Sequence, residues 1–211
     1  GLSVVSDRLS ERFEHRMLDI IDTPVLDERL ANLQILAVSH LYARRDLVHL
    51  QSDRLVELLL RHIESADPVV RAESACELAW MGRDSQLATV LELLRSRDSR
   101  MVAGAARGCE LAAFHRYASR EYQAAVSDEM RRRMSIDHPL TPDEQGAAAA
   151  SAILKALAQI DPATTISHLS SAACLHGGNP AVRLVLLHLQ RIAVEAASVG
   201  LELAGDQVAA A

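Results

Sequence analysis

The chain has 211 residues, enough for a sizeable core in one elongated domain or two small ones. Its net charge of −6 argues against a general nucleic-acid binder, which would carry a basic balance. Hydrophobic residues make up 49% of the chain but aromatics only 3%, so the core must come from Leu, Ala, Val and Ile, and period-two strand patterns are absent. The longest uncharged stretch, 163–182, is broken by two glycines and a proline and cannot span a membrane. Cys76, Cys109 and Cys174 each sit inside an apolar helical pattern and read as small buried hydrophobes. Their odd number and the lack of a signal-peptide pattern point to a reducing cytoplasm, and Gly1 in place of Met to a processed N-terminus.

Five of the six prolines follow a residue that caps helices: Thr23-Pro24, Asp67-Pro68, Thr141-Pro142, Asp161-Pro162 and Asn179-Pro180. Proline suits the first helical position, where its missing N–H costs nothing, so these pairs predict helix starts. Val5, Leu9, Phe13, Met17 and Ile20 predict a first helix over 2–21, and Thr23-Pro24 opens a second that runs to Leu41. A third, 52–64, is amphipathic, with Leu55, Leu58, Leu59 and Ile63 facing inward. Asp67 begins a fourth that ends at Gly82, a fifth spans 85–95, and Asp98 begins a sixth. A seventh covers 119–136, with Tyr122, Val126, Met130 and Met134 inward. The segment 137–141 then breaks the chain as a hinge or domain boundary. Thr141 with Glu144 forms a capping box that opens an alanine-rich eighth helix to Ile160. Asp161-Pro162 and Asn179-Pro180 begin the last two, the second apolar on most sides, and 204–211 is a frayed tail.

The chain repeats. Asp67-Pro68-Val69-Val70-Arg71-Ala72 is followed 31 residues later by Asp98-Ser99-Arg100-Met101-Val102-Ala103, and Cys76-Glu77-Leu78-Ala79 returns after 33 as Cys109-Glu110-Leu111-Ala112. A period in the low thirties with two helices per unit marks a helical solenoid. The stretch 67–72 with Ala75, Leu78 and Gly82 resembles the second half of a HEAT repeat of the short, phycobilisome-lyase-like kind, and Asn179–Leu184 resembles a further copy. The unit from Asp98 departs from that pattern, with Ser99 for Pro and Ala103 for Arg. The resemblance implies an all-α, right-handed α-α superhelix of about ten helices in antiparallel pairs, forming one domain over 1–211. It also implies that Arg71 ties its helix to the capping acid Asp67 or Asp98.

No chemistry of catalysis is legible. There is no His-Glu-x-x-His, Cys-x-x-Cys, Gly-x-Ser-x-Gly or glycine-rich phosphate loop, so no catalytic residue, cofactor or metal is expected. His168, Cys174 and His176 are the nearest approach to a metal cluster; the two histidines, eight apart, can share a helix face, but Cys174 lies well away from it. Trp80 reads as core, and Arg131-Arg132-Arg133, with Arg116 and Arg120, as a solvated face near a helix end. In paired-helix solenoids the second helices line a concave face. Taking these as 52–64 and 85–95 gives a stripe of Arg54, Glu57, Arg61 and Glu64, then Gln86, Thr89, Glu92 and Arg95. Its mixed charge suits a protein or peptide better than a polyanion. The expectation is a non-catalytic interaction scaffold that binds a protein or peptide, has no membrane role and can form a homodimer through its last helix. The rival reading, also from the fold resemblance, is a nucleic-acid enzyme of the alkylated-base glycosylase type or a bilin lyase-like protein.

Overall fold

A computed structural model describes residues 12–13, 15–25, 27–43, 52–134, 140 and 143–161. Eight α-helices and no strand occur among the described residues. They are α1 (15–22), α2 (Glu28–Ala43), α3 (Ser52–Ile63), α4 (Pro68–Trp80), α5 (Leu87–Arg95, after a 3-10 turn Asp84–Gln86), α6 (Ser99–Phe114), α7 (Arg120–Arg133) and α8 (Glu144–Ile160). The two helices expected after Asp161, the tail 204–211, the sequence echo at Asn179 and the cluster His168, Cys174 and His176 lie outside the described residues, as does the hinge segment apart from Leu140.

Aspartates set the helix starts. Asp67 Oδ1 accepts from the Val69 and Val70 N–H groups, with Pro68 in the first turn as the sequence predicts. Asp98 Oδ1 accepts from Arg100 N, and Ser119 Oγ from Tyr122 N. Two proline-marked starts are corrected. α2 begins at Glu28 rather than at Pro24, because Asp27 Oδ1 takes the Leu30 N–H while the Thr23 hydroxyl turns back to donate to Asp19 O. α8 begins at Glu144 rather than at Pro142, because Asp143 Oδ1 takes the Gly146 N–H. In both places an aspartate downstream of the Thr-Pro pair, three residues after Pro24 and directly after Pro142, captures the orphan donor, the carboxylate being the stronger acceptor.

The helices form two rows. In one, α2 lies against α4, α4 against α6, and α6 against α8. In the other, α3, α5 and α7 each lie against the two helices they connect, and α5 also meets α7. α8 therefore packs with α6 and α7 across the 137–141 break. α6 is central and shows it in composition: Gly104, Ala105, Ala106, Gly108, Cys109 and Ala112 are all buried. A methyl group on Gly104 would overlap the Ala72 carbonyl, and one on Gly108 the Cys76 carbonyl. The paired glycines, one turn apart, thus let the α6 backbone rest directly on α4, in parallel and at an offset of 32 residues. The core is otherwise Leu, Val and Ala, including Leu55, Leu58, Leu59, Leu78, Val90 and Leu94. Tyr122, Val126, Met130 and Met134 point inward as predicted. Burial pushes the Cys76 thiol up to about 11 and the Cys109 thiol up to about 12, so both stay protonated and inert.

Polar bonds between sequence-distant units hold the register. Arg71 Nη2 donates to Asp98 Oδ2 at 2.8 Å while its Nη1 donates to the Ser65 and Ala66 carbonyls, so the arginine clamps the segment after α3 to the cap of α6. Of the two acids that the resemblance offered, Asp67 and Asp98, the arginine pairs with Asp98. Burial opposes ionisation of Asp98, but Arg71 and the Arg100 N–H overcome it and hold the carboxyl below its usual range. Further links join Asp53 to Arg83, Glu73 to Arg107, Asp84 to Ser119 and Arg95 to Glu129, spanning 30 to 35 residues.

At the N-terminal side, the buried Gln34 side chain of α2 closes α1. Its Nε2 donates to the carbonyls of Ile20, Ile21 and Thr23 at 2.7–3.2 Å. Gln34 Oε1 is left to accept, so His62 Nε2, 2.9 Å away, carries the proton. Desolvation, aided by the charge of Arg61, holds the His62 pKa down and keeps the ring neutral.

Candidate functional site: a groove across α4, α6 and α8

The exposed side of the first row forms an open groove of about 690 Å³. Its floor is low because the positions that face it are small: Ala72 on α4, Ala103 and Gly104 on α6, and Ala148 and Ala152 on α8. The glycine contact that draws α6 against α4 therefore also shapes this surface. Its charged lining is balanced, with Arg100, Arg107 and Lys155 against Glu73, Glu110 and Glu144. Arg107 bonds Glu73 through its Nη2 and Cys76 Sγ through its Nε, so one charge of each sign is spent within the groove wall. Desolvation raises the pKa of Glu110, against the opposing charges of Lys155 and Arg107. Lys155 is the only lysine in the chain.

The stripe expected from the sequence falls on the other row. Arg54 is paired with Asp22, and Arg95 Nη2 donates to Glu129 Oε2 at 2.7 Å. Glu57, Arg61, Glu64 and Glu92 are exposed, and Gln86 and Thr89 are half-buried. Arg61 and Glu64 border a second depression of about 550 Å³ beside α2, which the remaining stripe residues do not reach.

The arginine run closes α7 as expected, with Arg132 exposed like Arg116 and Arg120, but its members also have internal partners. Arg131 bonds Asp128 and Asp161, Arg132 bonds Glu129, and Arg133 Nη2 donates to Ser96 O. Trp80 is half-buried, its ring stacked 6.3 Å from Tyr117 at 26°. Glu77 carries a perturbation that no sequence pattern announced. Desolvation pushes its carboxyl up to about 7, moderated by a hydrogen bond from Ser39 on α2, and Oε2 is buried with no hydrogen-bond partner among the described residues.

Among the described residues no three His, Cys, Asp or Glu side chains stand close enough to hold a metal, and no helix is long and apolar enough to cross a membrane. Comparison with protein-family models, curated proteins and solved structures finds no match to the chain.

Proposed function

We propose that this chain is a HEAT-like α-solenoid that serves as a non-catalytic interaction scaffold, holding a protein or peptide segment along the groove of α4, α6 and α8. The observation that carries the reading is the groove itself: a shallow, small-residue floor across three adjacent helices, rimmed by charges of both signs. Such a surface accepts a folded or extended segment over a length that α6 sets at roughly 20 Å. Three positive against three negative lining groups disfavour a polyanion, which would need uniform positive potential. The phase of the repeat supports the same row. If Asp67-Pro68 opens the second helix of a unit, the second helices are α4, α6 and α8, and the stripe on α3 and α5 belongs to first helices.

The experiment uses the lone lysine. A partner captured by the full chain and seated in the groove shields Lys155 from amine acetylation, read by mass spectrometry. Ala148→Trp, an exposed groove position, abolishes capture and leaves thermal stability unchanged. A partner that leaves Lys155 reactive, tolerates Ala148→Trp and is lost on joint charge reversal of Arg61 and Glu92 would place binding on the α3–α5 stripe instead.

A further inference from the structure

We propose that the turn closing α6 is a separate docking surface for an acidic peptide segment bearing an apolar or aromatic side chain. It lies one turn beyond the groove on α6 and stands whether or not the groove is occupied.

The chain has six Phe, Tyr and Trp residues, and three of them meet here, whereas Tyr122 is the one aromatic in the core among the described residues. Phe114 is 64% exposed and meets His115 edge-on at 5.0 Å. His115 stacks on Tyr117 at 5.3 Å, and Tyr117 on Trp80 at 6.3 Å. Trp80 and Tyr117 are half-buried and brace a platform whose outer members, Phe114 and His115, face solvent. The backbone beneath is fixed. His115 N donates to Leu111 O, Arg116 N to Ala113 O and Tyr117 N to Ala112 O. From below, Gly82 at φ +59° packs so closely that a Cβ would stand 2.9 Å from Ala118 N. A rigid aromatic platform loses little entropy on binding.

Two positive charges stand at its edge. Arg116 sits at φ 58°, the left-handed position after a helix that glycine takes without strain. Arg120 occupies the first position of α7, where a positive charge opposes the helix dipole. Both are exposed, and neither has an acid within ion-pair distance among the described residues. The nearby acids are Asp84, which accepts from Ser119 Oγ, and Glu121 in the first turn of α7. Exposed aromatic rings with arginines beside them have the composition of an interface anchor, and the positive edge selects an acidic partner. A nucleic acid fits less well, because two arginines give no continuous positive surface along which a phosphate backbone could run.

The full chain carries its own reporter, since Trp80 is the only tryptophan. The probe is a synthetic twelve-residue peptide of Glu and Asp around a central Phe and Leu. It is compared with the same peptide carrying Lys for every acid, and with a twelve-nucleotide oligothymidylate. The acidic peptide changes Trp80 emission saturably, and Phe114→Ser and Arg116→Gly each weaken its binding at least tenfold. Neither variant lowers the melting temperature, Phe114 being exposed and glycine relieving the Arg116 strain. The proposal is overturned by no response to the acidic peptide, by an equal response to the lysine peptide, or by retained affinity in both variants. It is equally overturned by tighter binding of oligothymidylate, which would mark a nucleic-acid surface, or by emission that changes with protein concentration alone, which would mark self-association.

Discussion

Replacing Glu77 with glutamine tests the electrostatics of the α2–α4 contact directly. The carboxyl titrates near 7 in the folded chain against 4.5 as the reference for the unfolded one. The folded state therefore binds the proton more tightly, and Glu77 lowers stability progressively as pH rises from about 4.5 to about 7, after which its effect is constant. A difference of about 2.5 units corresponds to roughly 3 kcal/mol at pH 7.5 and to under about 1 kcal/mol at pH 5. Glutamine keeps the size and can still accept from Ser39 but carries no charge to desolvate. Urea unfolding of the native chain and Glu77→Gln across pH 4.5 to 8 should show near-equal stabilities at the acid end and a widening advantage for the variant. A stability difference independent of pH, or one that shrinks toward pH 8, would refute the buried-carboxylate reasoning.

Two further outcomes follow from packing and from the buried histidine. Gly108→Ala should destabilise by about 1–3 kcal/mol even though alanine is the better helix former by about 1 kcal/mol, because its methyl meets the Cys76 carbonyl and the Ala79 side chain; stabilisation in chemical denaturation would disprove the backbone contact. His62, held neutral when folded, takes up its proton more readily when unfolded, so stability should fall as pH drops below about 6.5. That acid loss is best read in the Glu77→Gln background, and adding His62→Gln, whose amide can still donate to Gln34, should remove it; an unchanged pH profile would contradict it.

Helix identity was largely legible because apolar spacing and caps are local: Leu55, Leu58 and Leu59 on α3, and Tyr122, Val126 and Met130 on α7, point inward as the pattern requires. Starts were less so. A Thr-Pro pair and the aspartate downstream of it both read as caps, and only the folded backbone shows that Asp27 and Asp143 win. The Arg71–Asp98 link could be anticipated from the repeat, whereas the Gln34–His62 network joins residues 28 apart that belong to no motif. The groove was missed because it depends on which row of helices faces out, and no single helix carries that information. Gly104 and Gly108, four apart on a helix otherwise rich in alanine, were the one available hint. For Arg131–Arg133 the place at a helix end was legible but the partners were not: a charge run looks the same in sequence whether it faces water alone or also meets Asp128, Glu129 and Asp161.

Asp98 serves two masters, since one carboxylate oxygen starts α6 and the other grips Arg71 of α4. Fraying at that point would untie α4 and α6 together, so the start of α6 is where the two helices become inseparable rather than where they come apart. Amide exchange should accordingly treat 67–114 as one block that opens in a single step.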